Sequence, residues 1–496
     1  MNTMKSNSLS PLQKKEKIRI LKKAGLFFSV LLGAAASIFV LINLGSRNPF
    51  LSSIVKQEDV NQRPLVQPHE VRDDNDHGGE KIDYYKACDL FVGRWIREPK
   101  GPLYTNTSCV TIPESKNCRK YGRVDEDYMH WRWKPDECEL QRFDANKFLR
   151  MARGKTLGFI GDSVARNQME SLLCLLSQVC PLGSCFLLTC IFHAEIWILD
   201  PLKGHILTFS TDAFGWSNPV REPKQCLKKT PSFQQKFLAE AQVESPLDRY
   251  KDSEDRFRTW YFPYHDFTLK TIWTKFLVAG IERKINGTNS GIYDIHVDKV
   301  DPELAKELPN IDYAVISDGH WFFRKTYVLE RNKPIGCVFC DDANIKNRGL
   351  GYAFKRVFQA VLKHVNECKE CKDGLITLVR TFSPAHFEHG TWNDGGKCNR
   401  TMPVSQGEVN LGGSEWEIRN IQVEEVERAR MVGRNKLGYL DVTKATLMRP
   451  DGHPGIHWNN NYMEGYSDCV HWCLPGPIDA WNDLLLAALT TYSSLY

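Results

Sequence analysis

One serine in this chain is set where a nucleophile would have to be. Gly161-Asp162-Ser163 closes the apolar run TLGFI and opens the amphipathic stretch VARNQMESLLCLLSQ, so Ser163 is expected at a strand-to-helix turn. A seryl nucleophile needs a base to take its proton and an acid to orient that base. YSDCVHWCLPGPID, near the far end, supplies both in Asp468 and His471. Their spacing predicts two side chains on one side of a helical turn, with Cys469 and Cys473 placed to pin the segment. The chemistry of such a set is acyl transfer through a seryl ester. Asp451 and His453 in MRPDGHPG form a competing pair, but Gly452 and Pro454 make a turn there, which reads as structural or acceptor-lining. His320, His386 and His389 stand alone and rank below His471.

Positioning these residues requires a scaffold, and four apolar runs describe one. TLGFIGDS, DYAVISDGHW, LITLVRTFSP and LGYLDVT each read as a strand ending in polar residues, while GYAFKRVFQAVLKHVNECKEC and Ser414 to Gly433 read as helices. Strands separated by helices predict an α/β sheet covered on both faces, with its chemistry at the carboxyl ends of the strands.

A composition of 42% hydrophobic and 25% charged residues is that of a globular chain able to bury a sizeable core. The formal charge of +5 is small for 496 residues and sits partly in the first 23, around Lys14, Lys15, Lys17, Arg19, Lys22 and Lys23, which argues against nucleic acid as a partner. Residues 24–44, AGLFFSVLLGAAASIFVLINL, are uncharged and long enough to span a bilayer. The basic flank predicts a cytosolic N-terminus and a retained signal anchor, in preference to cleavage near Ala34-Ala35-Ala36. A polar stem, 45–87, follows, and everything beyond it is expected in the secretory lumen. Sequons at Asn106, Asn286 and Asn399 agree with that placement, as do sixteen cysteines. Cys337-x-x-Cys340 and Cys368-x-x-Cys371 have zinc-ribbon spacing, but an oxidising lumen favours disulfides, and no metal is expected. Residues 88–140 read as a small Cys-rich, aromatic-rich subdomain, and 141–496 as the body that carries the chemistry.

Residues 179–242 break this pattern with 64 residues, four cysteines and an unpatterned apolar run. Val179 and Gln242 at the borders match the codons an intron would begin and end with, GT and CAG. The segment is therefore expected to be a translated intron; its rival is a genuine surface insertion, which loop entropy tolerates.

GDSVARN, DCVHWCLPGPID and the block CDLF…YTNTSC…NC…WRWKPDEC together resemble the plant trichome birefringence-like proteins, polysaccharide O-acetyltransferases of the Golgi. The resemblance runs from about Cys88 to about Leu486 except across 179–242, and joining Gln178 to Val243 yields LLCLLSQVESPLDRYKDSEDRFRTWYFP, similar to the family's uninterrupted sequence. It implies an SGNH/GDSL-like α/β/α sandwich with Ser163 as nucleophile, His471 as general base and Asp468 as orienting acid. Oxyanion donors transfer less directly, because SGNH esterases carry Gly-x-Asn-Asp where this strand end reads Ser317-Asp318-Gly319-His320-Trp321. The Ser163 backbone N–H is the expected donor, with Arg166 or Asn167 as further ones, and Gly161, Asp162, Gly319, His320 and Trp321 as oxyanion or substrate candidates.

The same resemblance implies a ping-pong acetyl transfer with no bound cofactor, fed by acetyl-CoA or another acetylated carrier. The expected setting is the Golgi membrane, as a single-pass type II protein with its catalytic domain lumenal and unidentified acetylation-machinery partners. Wording such as GRWIREPKGPLYTNTSC, SDGHWFFR and SPAHFEHGTWNDGGKC looks closest to members acting on xyloglucan galactosyl side chains, with mannan or xylan as alternative acceptors. Two further readings share the motifs: a polysaccharide acetylesterase, and a non-catalytic wall-polysaccharide-binding protein. Trp131, Trp133, Trp321, Trp392 and Trp472 are candidates for stacking on sugar rings, each weighed against plain core packing.

Overall fold

Neighbouring residues of the run Thr156–Gly161 belong to two different apolar cores, as a strand buried on both faces requires. Leu157 and Phe159 pack into one cluster and Ile160 into the other. The computed structural model describes residues 88–178, 196–199, 206–209, 246–433, 436–459, 463 and 465–494. The basic tail 1–23, the apolar run 24–44 and the stem to residue 87 lie outside the described residues. No helix among those described is long and apolar enough to cross a membrane.

The strands, in chain order, are β1 (Gly93–Arg97), β2 (Trp131–Pro135), β3 (Thr156–Gly161), β4 (Ile196–Leu199), β5 (Ile206–Phe209), β6 (Leu247–Lys251), β7 (Arg258–Phe262), β8 (Phe267–Trp273), β9 (Val278–Ile285), β10 (Thr288–Val300), β11 (Tyr313–Ser317), β12 (Thr326–Glu330), β13 (Lys333–Val338), β14 (Ile376–Arg380) and β15 (Lys436–Leu440). Four helices position the site: α1 (Ser163–Leu176), α2 (Gly349–Glu367), α3 (Ser414–Val432) and α4 (Asp479–Ser494).

The main sheet has the order β15-β14-β11-β3-β8-β7-β6. From β15 to β8 it is parallel, and β7 and β6 extend it antiparallel. All four strand-like runs singled out in the sequence are parallel members of it. Helices α1 and α4 cover one face, and α2 and α3 the other. The α/β class with covered faces is thus as expected. From β3 the chain crosses to the β6 edge and builds back inward through β7 to β8, then continues on the other side of β3 with β11, β14 and β15. That makes β3 the strand where the winding reverses, and the crevice at its carboxyl end is the natural place for a ligand.

A second, four-stranded sheet, β13-β12-β10-β9, was not expected from the sequence, nor was the antiparallel edge. Strand β9 alternates little and is largely exposed, and β6 is exposed throughout, so neither carries the hydrophobic period that announces a strand.

Six disulfides join the cysteines outside 179–242: Cys88–Cys138, Cys109–Cys174, Cys118–Cys473, Cys337–Cys340, Cys368–Cys371 and Cys398–Cys469. Both Cys-x-x-Cys pairs are bridged. Two bridges from the Cys-rich region, Cys109–Cys174 and Cys118–Cys473, run to the body of the fold. Polar contacts follow the same route: Trp95 Nε1 donates to the Ala445 carbonyl at 2.8 Å, and Arg123 donates to the carbonyls of Asp451 and His453 at 2.6 and 2.8 Å. The region is stitched to the body.

Most of 179–242 lies outside the described residues. Within it β4 and β5 pair antiparallel with each other and with no other described strand. Of the sequons, Asn286 and Asn399 are exposed and Asn106 is half-buried.

Candidate active site

Ser163 is the first residue of α1, directly past the end of β3. The turn demands a glycine at 161. There φ is +149°, and a Cβ would lie 1.6 Å from the Ser317 carbonyl oxygen on the neighbouring strand. Asp162 follows as the helix N-cap, its Oδ1 accepting from the Val164 N–H at 2.8 Å. Gly161 and Asp162 therefore shape the turn that presents Ser163.

His471 reaches that serine from the other end of the chain. Its Nε2 lies 2.8 Å from Ser163 Oγ, and its Nδ1 lies 2.8 Å from Asp468 Oδ2. An ionised carboxylate can only accept, so Nδ1 carries the ring hydrogen and Nε2 is left to accept from the serine hydroxyl. Burial works against the charge on Asp468, but the neighbouring His471 and Lys116 outweigh it and hold the carboxyl well below the usual carboxylate range. The acid is therefore ionised while it orients the ring.

The Asp468–His471 segment is not the helical turn expected from its spacing. Asp468 pairs with Gly455 in an isolated β-bridge, and its Oδ1 accepts from the N–H groups of Val470 and His471 at 3.1 and 3.0 Å. This Asx-turn brings the two side chains together as a helix would have done. Cys469 is bridged to Cys398 and Cys473 to Cys118, so the turn is pinned on both sides.

Asn167 and Arg166, expected as further oxyanion donors, are otherwise engaged. The Asn167 amide accepts from the Trp472 N–H at 2.7 Å and donates to the Trp472 carbonyl at 3.4 Å. Arg166 donates to the Asp255 carbonyl and lies 3.4 Å from Glu170. The Gly319 N–H is likewise held, by Asp318 Oδ1 at 2.7 Å. His320 lies against Phe382, ring centroids 4.8 Å apart, with its Nε2 buried and lacking a hydrogen-bond partner. Burial pushes the His320 imidazole down to about 4, against the pull of Asp162, so the ring is neutral.

Below the turn sit polar groups that sequence reasoning missed. Burial, reinforced by the Asp162 charge, raises the Asp318 carboxyl well above the carboxylate range, and burial lowers Arg380 to about 10. Asp318 follows β11, which flanks β3, and Arg380 ends β14, one strand further out; a buried charge at the end of an otherwise apolar strand is the signal that could have found them.

Asp451 and His453 are structural. Asp451 is fully buried in a bidentate pair with Arg449, both distances 2.8 Å. His453 donates from Nδ1 to the His471 carbonyl at 2.7 Å, and its Nε2 faces His386 Nδ1 at 2.7 Å. His389 is exposed in a turn with positive φ. Among the tryptophans, Trp133 and Trp472 are core, Trp131 and Trp321 are half-buried, and Trp392 is 49% exposed.

The pattern of an acyl-transfer site at the end of β3 agrees with comparisons to known proteins. The profile of PC-Esterase, a GDSL/SGNH-like acyl-esterase family found in Pmr5 and Cas1p, matches residues 140–186 and 237–488. The chain belongs to this family. The PMR5 N-terminal domain matches residues 86–139 ahead of it. Xyloglucan O-acetyltransferase 4 of Populus trichocarpa is 46% identical over 93% of this chain and 91% of its own length. Xyloglucan O-acetyltransferase 2 of Arabidopsis thaliana is 42% identical over 89% and 88%. Protein trichome birefringence-like 20 of the same plant is 36% identical over 82% and 72%. Within the PC-esterase match, Ser163, Asp468 and His471 all fall inside the matched blocks, while 187–236 stays unmatched between them.

Proposed function

We propose that this PC-esterase is a xyloglucan O-acetyltransferase that works through a Ser163 acetyl-enzyme. The observation that carries the mechanism is the hydrogen-bonded series from Asp468 through His471 to Ser163, with both links at 2.8 Å. The names of the relatives support the acceptor. In the first half-reaction Ser163 Oγ attacks the acetyl carbonyl while His471 Nε2 takes its proton and passes it to the leaving carrier. In the second, His471 takes the proton of a sugar hydroxyl whose oxygen bonds to the acetyl carbon, and as the ester bond to Ser163 Oγ breaks it returns that proton to Oγ. The Ser163 N–H, at the first turn of α1 where no intrahelical acceptor exists, is suited to the developing oxyanion. The donor is acetyl-CoA or another acetylated carrier.

A Golgi membrane setting goes with this reading, with 24–44 as a type II anchor and the catalytic body lumenal. Support comes from the basic flank, the disulfides and two exposed sequons.

Mass spectrometry of xyloglucan oligosaccharides incubated with an acetyl donor and the chain tests this. Acetyl gain that disappears with Ser163→Ala is expected. Release of free acetate in place of sugar acetylation would make the protein an esterase, and acetylation of mannan or xylan alone would move the acceptor.

A further inference from the structure

Two cations flank the nucleophile turn without a carboxylate to pair with. Trp273 ends β8 in register with Gly161, and the Thr274 N–H donates to the Gly161 carbonyl at 2.9 Å. On the other side of β3, Ser317 pairs with Gly161 and leads within four residues to Trp321. The two tryptophans meet edge to face with centroids 6.0 Å apart, so they close over the end of the strand that delivers Ser163. Lys275 Nζ lies 4.6 Å from the Trp321 ring, and the Arg324 guanidinium lies 4.6 Å from the same ring and 5.5 Å from Trp392.

Neither cation has an ion pair within 4.0 Å or a side-chain hydrogen bond among the described residues. Glu254 and Glu282 are close enough to act on Lys275 through space but do not reach it. Both cations are half-buried, where an unpaired charge is costly unless a ligand completes it. A xyloglucan acceptor is neutral and offers such charges nothing. An acetyl carrier ending in phosphates offers what they lack, and a flat base on that carrier would find aromatic faces beside them.

We propose that Lys275 and Arg324, set against Trp321 with Trp273 edge to face beside it, form the docking site for the phosphate-bearing end of the acetyl donor. The proposal rests on the acetyl-enzyme reading above and specifies its donor as an anionic carrier. For a thioester donor, the bond formed is Ser163 Oγ to the acetyl carbon, the bond broken is carbon to sulfur, and the serine proton goes through His471 to the leaving thiolate. The cations hold the far end of the carrier while this happens.

The test compares three donors with the full chain: acetyl-CoA, acetyl phosphate and the neutral thioester S-acetyl-N-acetylcysteamine. In the Lys275→Gln/Arg324→Gln chain, the kcat/KM for acetyl-CoA relative to the neutral thioester should fall at least tenfold, chiefly through KM, and Lys275→Arg should restore part of it. A matching fall for acetyl phosphate assigns the site to phosphate alone; a fall confined to acetyl-CoA assigns it to the larger carrier. Equal losses for all donors, or no change for any, overturn the proposal. Titration of tryptophan fluorescence with CoA separates it from the function itself. Binding by the parent and its loss in the double variant sustain the site even where no sugar is acetylated, and failure of the parent to bind CoA overturns it.

Discussion

Asn167 holds the backbone of Trp472 by both of its polar groups, accepting from the N–H at 2.7 Å and donating to the carbonyl at 3.4 Å. Asn167 is one helical turn beyond Ser163, and Trp472 immediately follows His471. One fully buried amide therefore links the helix that carries the nucleophile to the loop that carries the base. Asn167→Ala leaves two buried backbone groups unpaired, at a cost of about 1–3 kcal/mol each. The expected result is a lower melting temperature together with a roughly 10–100-fold loss of kcat, since misplacing a base by about 1 Å costs on that order. Melting curves and steady-state kinetics on the variant check both.

Asp468→Asn keeps the shape of the Asx-turn but can present an amide N–H to the ring, favouring the wrong His471 tautomer. A fall in kcat of about 10⁴ is expected by analogy with other Ser-His-Asp sites. Circular dichroism should show the fold retained, and a variant with near-parental turnover would remove Asp468 from the mechanism.

Cys118–Cys473 closes a loop of 355 residues and fastens the Cys-rich region beside the His471 turn. Replacing both cysteines by serine should lower stability by about 2–5 kcal/mol. Because Leu474 also donates to the Lys116 carbonyl at 2.9 Å, the loosened turn should lose activity before the chain unfolds. Activity and fluorescence followed together through a urea titration would separate the two losses.

The His386–His453 pair behind His471 makes stability depend on acidity. His453 donates to the His471 carbonyl, so its Nε2 must accept from His386, whose own Nε2 then faces the Leu447 carbonyl at 3.2 Å. Burial holds His386 down at about 4, while the Leu447 carbonyl and the charges of Asp451, Arg400 and Glu388 act on it in lesser degree. The folded value lies below the unfolded one of about 6.5. The unfolded chain thus binds more protons between those two values, and the contribution is whole above about 6.5 and lost as the pH falls toward 4. Melting temperature should drop across that window, and His386→Gln should show a shallower drop.

Residues 179–242 are proposed to be translated intron. The flanking blocks match the family with 187–236 unmatched, and all six disulfides outside the segment are complete without its Cys180, Cys185, Cys190 and Cys226. Joining Gln178 to Val243 should give a chain that melts at least as high as the parent and turns over at least as fast. A shortened chain that fails to fold would make the segment a genuine insertion, as would transcripts lacking any Gln178–Val243 junction.

The parallel strands β3, β11, β14 and β15 and the helices α2 and α3 were legible because each is a short apolar run or an amphipathic period, signals carried by residues adjacent in sequence. The Gly161-Asp162-Ser163 turn was legible for the same reason: a glycine, a capping carboxylate and a serine are local requirements of one strand-to-helix junction. Strands β6 and β9 escaped because β6 is exposed throughout and β9 for half its length, and because their pairing is chosen by the tertiary fold. The Asx-turn at Asp468, the Asn167 clamp on Trp472 and the cations against Trp321 escaped for a related reason. Sequence alone determined which residue types were available for acyl transfer and in what local setting. Only the tertiary structure decided that residues 163 and 471 meet at 2.8 Å, because that contact depends on the winding order of the sheet and on bridges closed across hundreds of residues.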